Sequence, residues 1–130
     1  ANILPEVDLS FPQTFSFVRP PIPARAKRLY DAYCAEFKDC SKPELLPVPG
    51  AIAHVYDLVH LLAKAVKKAG STDRAKIRVA LETLGRHDGI MRRYDPPFTE
   101  ERHDALDTSS FILCRFGPNG AILPIPAADG

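Results

Sequence analysis

Four histidines and three cysteines are the residues whose side chains could hold a metal ion or act as nucleophiles. His54 and His60 stand six positions apart in a helix-like stretch, so they fall on different faces and cannot chelate one ion. His87 and His103 belong to separate loops, each next to an aspartate. Because no further ligand stands at chelating spacing, we expect no metal site and interpret these histidines as hydrogen-bonding groups.

Sequence motifs for hydrolysis and for phosphate binding are missing. There is no Gly-x-Ser-x-Gly elbow, and Gly50 and Gly70 stand singly rather than in a glycine-rich phosphate loop. Cys34 falls inside a predicted helix, away from an activating partner. A small enzyme that used His103 and Asp104 would need a nucleophile or a metal beside them, and the sequence offers neither. We therefore expect no catalytic residue and no cofactor.

Two places remain as candidate ligand contacts. The first is the start of the long helix, at Gly50, Ala51 and His54, because a helix N-terminus offers backbone N–H groups to a carboxylate. The alternative is that this helix start binds only water or its own cap. The second is Arg19, directly after a predicted strand, where ligands of open α/β sheets collect and a guanidinium can grip a carboxylate. The alternative for Arg19 is a surface ion pair with a nearby aspartate.

A long helix over residues 49–70 is the element on which these contacts depend. Pro49 and Gly50 mark its start, and Gly70 is placed to end it in the left-handed conformation. Apolar residues repeat at steps of three and four on one face, and a second stripe beside it predicts a helix covered on two sides. The first face consists of Ile52, Val55, Val59, Leu62, Val66 and Ala69, and the second stripe of Leu58, Leu61 and Ala65.

Two further helices and several short strands are predicted around the long helix. Pro23 is placed to open an amphipathic helix, and Ser-Thr-Asp at 71–73 supplies capping side chains for another. Gly-Pro-Asn-Gly at 117–120 predicts a hairpin turn. The order strand, three helices, then strands indicates a mixed α and β fold. The predicted strands are 14–18, 90–94, 110–116 and 121–125, and the two helices are 24–38 and 73–84.

The composition is that of one globular domain with balanced charge. The 130 residues include 17 basic and 16 acidic side chains, which argues against a nucleic-acid or membrane-surface partner. No run approaches the roughly 18 apolar residues of a membrane span. Cys34 and Cys40 could form a disulfide if the helix ends near Lys38, or remain thiols. Cys114, in an apolar strand pattern, is expected to be a buried thiol.

Two longer runs resemble the C-terminal portion of periplasmic solute-binding proteins of the branched-chain amino acid type, the type I periplasmic binding proteins. The run PGAIAHVYDLVHLLAKAVKKAGSTDRAKIRVAL is similar to a helix of that family that ends in a KAGSTD-like turn and leads into a short helix. The run HDGIMRRYDPPFTEERHDALDTSSFILCRFGPNG is similar to the family's closing pattern of a glycine-led strand, a charged loop and a last hairpin. The resemblance covers about residues 14–126.

The resemblance implies an α/β fold of two lobes, joined by three crossovers, that closes over a small solute. This chain would supply the last third of that fold, with three helices, short strands and a C-terminal hairpin. Residues 1–13 would be a linker or cut end, and residues 14–130 the C-terminal portion. Within it, about 20–106 would complete the first lobe and 107–130 would return to the second.

By the same resemblance, the protein would be a periplasmic component of an ABC importer, and its partners would be a small-molecule solute and a membrane permease. Gly50, Ala51, His54 and Arg19 would be ligand-binding positions. Family members that bind branched-chain amino acids often carry an aromatic residue near the position of Ala51, so a small residue there leaves room for another amino acid, an amide or an aromatic carboxylate.

Alternative readings of the sequence stay open. The chain could instead be a ligand-sensing regulatory domain of the same fold, or a small hydrolase. An isolated C-terminal third would expose a sheet edge and an apolar helix stripe. We therefore expect it to pair either with the missing upstream lobe or with a second copy as a homodimer.

Overall fold

The structure is a computed structural model that describes residues 7–37, 40 and 42–126. Within these residues the order of elements is one strand, three α-helices and then four strands, as the sequence predicts. The helices are α1 (Ala24–Phe37), α2 (Pro49–Ala69) and α3 (Arg74–Glu82), and the strands are β1 (Ser10–Gln13), β2 (His87–Asp88), β3 (Arg93–Tyr94), β4 (Ile112–Phe116) and β5 (Ile122–Pro124).

The chain forms two compact units. The first unit combines Ala1–Gly50 with Phe111–Gly130, and the second is Ala51–Ser110. Helix α2 begins in the first unit and continues through the second. In the described part of the chain, no helix has both the length and the hydropathy needed to cross a membrane.

The first unit contains an antiparallel sheet with β4 in the middle, in the order β1-β4-β5. Cys114 of β4 pairs with Phe11 on one side and with Pro124 on the other, and its side chain is fully buried. The buried thiol predicted at this position is therefore confirmed. The predicted hairpin is confirmed as well, since β4 and β5 are joined by a turn at Pro118–Gly120 in which Gly120 has a φ of 78°.

The first strand lies earlier in the chain than the sequence indicates. It spans Ser10–Gln13, so the predicted strand at 14–18 is wrong, and part of the expected linker is a paired strand. Phe15, Ser16 and Phe17 are all buried. In a strand with one face in solvent, successive side chains alternate between buried and exposed, so three buried residues in a row do not fit such a strand. The two rings pack edge to face, with centroids 5.0 Å apart. Pro12 is tolerated because β1 is at the edge of the sheet.

Helix α1 and its disulfide complete the first unit. The helix ends at Phe37, close to the predicted end, and Cys34 forms a disulfide with Cys40. Of the two alternatives that the sequence leaves open for this pair, the structure has the bonded one.

Helix α2 buries Leu61 and Ala65 of the second predicted stripe, but it is not covered on both sides as predicted. The helix bounds are confirmed, and Gly70 follows with a φ of 58°, as expected for a left-handed C-terminal residue. However, Val55, Val59 and Leu62 of the first predicted face are exposed, with Val55 at 61% and Val59 at 58%, while Ile52, Val66 and Ala69 are half-buried. Apolar periodicity identifies a stripe of apolar residues but not which part of the protein covers it. In this helix the buried side carries the small side chains Ala53 and Ala65. The buried side chains of α2 in the second unit are Ala53, Asp57, Leu61 and Ala65.

A buried carboxylate joins α2 to the β2–β3 hairpin in the second unit. Asp57 is 2% exposed, and its Oδ1 accepts a hydrogen bond from the Ile90 N–H at 2.7 Å. Its Oδ2 accepts from the Met91 N–H at 3.0 Å and from the Tyr94 hydroxyl at 2.9 Å. Burial, and then the Asp57 charge, raise the pKa of Tyr94, so the phenol stays a donor.

The same carboxylate explains why residues 90–94 are not one strand. Ile90 and Met91 donate to Asp57 instead of to a neighbouring strand, so the chain turns between His87–Asp88 and Arg93–Tyr94. Gly89 lies in this turn, at a position that has no room for a side chain. A Cβ at Gly89 would overlap the Asp57 carboxylate and approach Tyr94 Cε2 to 2.6 Å. The predicted strand at 90–94 is therefore corrected to a short hairpin.

Helix α3 begins where the sequence predicts. Asp73 is its N-cap, and Asp73 Oδ1 accepts from the Lys76 N–H at 3.0 Å. The helix ends at Glu82, slightly earlier than expected.

Replacing Asp57 tests its structural role. We expect Asp57→Ala to lower the free energy of unfolding by about 3 kcal/mol, because it leaves buried N–H and O–H donors without an acceptor. Urea denaturation followed by circular dichroism measures this change.

The matched control is Asp31→Ala, which removes an exposed carboxylate whose partner is Lys27 at 3.0 Å. It should change stability by only about 0.5 kcal/mol. Equal effects of the two substitutions would contradict the role assigned to Asp57.

Candidate ligand-contact site

The start of α2 lies against the carboxyl end of β1 within the first unit. Gly50 is buried, and a Cβ added to it would lie 2.9 Å from Thr14 Oγ1 and 3.0 Å from Gln13 Oε1. A polar pair at the end of a strand therefore faces the first turn of a helix. Such a place combines side-chain hydrogen-bonding groups with the partial positive charge of the helix N-terminus.

The sequence does not identify Gln13 and Thr14 as candidate contacts. It predicts a strand at 14–18 that begins with Thr14, whereas in the structure Thr14 follows the end of β1. The available signal was Pro12, which favours an edge strand immediately before the polar pair. Only the position of β1 in the sheet shows that these two side chains reach Gly50.

The other predicted residues of α2 lie in its first two turns, at the start of the second unit. Ala51 is exposed and His54 is half-buried. Gly50 and His54 are four positions apart, so they are neighbours on one helix face. Pro49 has no N–H, and Val48 before it has no polar side chain with which to cap the helix. The oxygens that the structure places beside this helix start are Thr14 Oγ1 and Gln13 Oε1.

Arg19 follows the buried segment Phe15–Phe17 of the first unit and is exposed. Among the ion pairs of residues 7–37, 40 and 42–126 none involves Arg19, so the alternative of a surface pair with an aspartate is not found there. Burial raises the pKa of the Cys114 thiol, and the positive charge of Arg19 opposes that effect. Arg19 therefore presents an exposed cation directly after this buried segment.

The histidines have local contacts. His60 Nδ1 lies 2.8 Å from the Tyr56 carbonyl oxygen, and the two rings stack with centroids 4.1 Å apart. His103 Nε2 lies 3.4 Å from Glu82 Oε1. Over the described ranges, no group of three or more histidine, cysteine, aspartate and glutamate side chains is placed to hold a metal ion.

A search of solved structures finds a similar fold. The chain superposes on a crystal structure of a type 1 periplasmic binding protein from Bordetella pertussis Tohama I with a TM-score of 0.69 and 23% sequence identity. The match covers 91% of this chain but only 33% of the other, so this chain spans about a third of that protein's length. No protein-family model matches the sequence, and no curated protein does.

The chain therefore has the α/β fold of part of a type 1 periplasmic binding protein. The resemblance inferred from the two sequence runs is confirmed at the level of the fold.

The contact between Gly50 and Thr14 gives a second testable prediction. Alanine normally favours a helix over glycine by about 1 kcal/mol, yet we expect Gly50→Ala to destabilise the protein because its methyl group would crowd Thr14 and Gln13. Thermal denaturation of Gly50→Ala, Thr14→Ala and the double variant measures the coupling between the two positions.

The double variant should recover most of the stability that Gly50→Ala alone loses. Strictly additive effects would show that the start of α2 is not packed against the end of β1.

Proposed function

We propose that this chain is the C-terminal portion of a solute-binding protein that holds a small molecule in a cleft between two lobes. The observation that carries the proposal is the likeness to a type 1 periplasmic binding protein over 91% of the chain. Polar groups gathered at the end of β1 and the start of α2 support it further. Binding of this kind needs oriented donors and closure of lobes, without a catalytic group.

The proposed solute is an amino acid, an amide or an aromatic carboxylate. Arg19 supplies an exposed cation for a carboxylate, and the start of α2 at Gly50 supplies backbone donors. The small side chain of Ala51 leaves space at the first turn of the helix, and His54 adds a polar group one turn further on. We propose these four residues as the contribution of this chain to the ligand site.

The proposed setting is the periplasm, where the protein would deliver its solute to the membrane permease of an ABC importer. The disulfide between Cys34 and Cys40 supports an oxidising compartment, because such bonds are rare in the reducing cytosol. In this proposal about residues 20–106 complete the first lobe and residues 107–130 return to the second.

The exposed face of α2 supports pairing with further polypeptide. Val55, Leu58, Val59 and Leu62 are all between 49% and 61% exposed, a continuous apolar stripe of a kind that is seldom left in water. Because the matched fold is about three times longer than this chain, we infer that the stripe packs against the upstream lobe of that fold. A homodimer through the same stripe is the alternative that sedimentation velocity would detect.

A thermal-shift screen tests the proposed function directly. The chain is melted with amino acids, amides and aromatic carboxylates, and a bound ligand at about 100 times its Kd adds about 2.7 kcal/mol to the stability of the folded state. We expect a selective rise in Tm for a carboxylate-bearing class, and we expect Arg19→Gln to reduce that rise.

The matched control is Arg28→Gln, which removes the same charge from an exposed position of α1 and should leave the ligand response unchanged. A flat response from a chain that melts cooperatively would contradict solute binding by this chain. A response that Arg19→Gln leaves intact would contradict the assigned role of Arg19.

A further inference from the structure

The turn between β4 and β5 carries an asparagine followed by a glycine at the tip of the hairpin. Asn119 and Gly120 are both exposed. Asn119 has a φ of 58° and a ψ of 25°, and Gly120 has a φ of 78°, so both residues are in the left-handed region. Asparagine and glycine tolerate this conformation, which is why the pair is common in hairpin turns. The pair also places a side-chain amide next to a peptide nitrogen that no Cβ of the following residue hinders.

The side chain of Asn119 can react with the peptide bond that follows it. Hydroxide removes the proton of the Gly120 N–H, and the nitrogen attacks Asn119 Cγ, forms an N–Cγ bond and expels Nδ2, which solvent water protonates to ammonia. Water then opens the cyclic succinimide. Cleavage of the N–Cγ bond yields aspartate, whereas cleavage between the Gly120 nitrogen and the main-chain carbonyl carbon of Asn119 yields isoaspartate. The net change replaces an amide by a carboxylate, with water consumed, ammonia released and no change in oxidation state.

The structure leaves the reacting atoms open to solvent. Two backbone hydrogen bonds close the turn, from the Gly117 N–H to the Ala121 carbonyl oxygen at 2.7 Å and from the Ala121 N–H to the Pro118 carbonyl oxygen at 3.2 Å. Neither of these two bonds uses the Gly120 N–H. A Cβ added to Gly120 would meet no atom of the described residues within 4 Å. Ring closure requires rotation about the Cα–C bond of Asn119, which an exposed tip with a glycine at the next position makes easy.

The sequence supplies its own comparison for this reaction. It contains one other asparagine, Asn2, which is followed by Ile3. A side chain branched at Cβ crowds the peptide nitrogen that would have to attack. We therefore expect Asn119 to react much faster than Asn2.

The reaction would disturb the pairing that the turn maintains, because isoaspartate adds a methylene group to the main chain. The turn sets the register in which Phe116 pairs with Ile122. It is also closely packed, since a Cβ added to Gly117 would lie only 2.6 Å from Leu123 Cδ1. A longer main chain at the tip cannot keep both this packing and the register, so β5 should separate more readily from β4.

We propose that Asn119 is a site of spontaneous deamidation through a succinimide with Gly120, and that the isoaspartate product loosens β5 from β4. Cys114 of β4 pairs with Pro124 of β5, and its thiol is fully buried. Loosening of β5 should therefore make this thiol more accessible. The proposal concerns only the first unit, and it does not depend on the proposed solute-binding function.

Mass spectrometry of the aged protein tests the modification. Trypsin releases residues 116–130 as one peptide, since no lysine or arginine follows Arg115. After incubation in mildly alkaline buffer we expect this peptide to gain about 1 Da at Asn119, as two chromatographically separable products, aspartate and isoaspartate. The gain should be slower in weakly acidic buffer, because the attacking nitrogen must lose its proton. A peptide that keeps its mass, or gains mass no faster than the peptide with Asn2, would overturn the proposal.

Thiol labelling of the same samples tests the structural consequence. With Cys34 and Cys40 joined in a disulfide, Cys114 is the remaining cysteine, and it should react about tenfold faster with a thiol reagent after incubation because local opening controls access to a buried group.

The matched control is Asn119→Gly, which suits a positive φ but has no side-chain amide, so neither its mass nor its thiol reactivity should change during incubation. A mass gain at Asn119 with unchanged reactivity of Cys114 would overturn the loosening of β5. An equal increase in Cys114 reactivity in Asn119→Gly would overturn it as well.

Discussion

The carboxylate of Asp57 is the interaction on which the second unit depends. A buried charge is costly unless hydrogen bonds replace its water, and here two backbone N–H groups and the Tyr94 hydroxyl do so. Because Ile90 and Met91 lie in the hairpin and Asp57 lies on α2, the carboxylate fixes one element against the other. Gly89 is required beside it, since a side chain there would overlap the carboxylate.

This anchoring determines which faces of α2 remain for other contacts. Alanines at 53 and 65 sit on the buried side with Asp57, while the larger aliphatic side chains Val55 and Leu58 point to solvent. A helix with small residues inside and large apolar residues outside is typical of an element packed on two sides. That arrangement agrees with a chain that has the fold of one third of a longer protein.

Local signals explain what the sequence predicts well. The bounds of α2, the left-handed Gly70 and the Asp73 cap depend on residues within one or two helical turns, and all three are confirmed. The position of β1 and the role of Asp57 depend on partners about 100 and 33 residues away, which no periodicity encodes. The helix start at Gly50 can be predicted from neighbouring residues, whereas the closeness of Thr14 to Gly50 depends on the register of the sheet.

Native-state hydrogen exchange of the Ile90 and Met91 amides tests the central role of Asp57 most directly. Both amides lie in a turn and would exchange rapidly if they faced water, but donation to a buried carboxylate should protect them nearly to the level of global unfolding. The account predicts strong protection that Asp57→Asn reduces at these two amides first. Exchange as fast as that of the exposed loop amide of Glu101, in the unchanged protein, would contradict it.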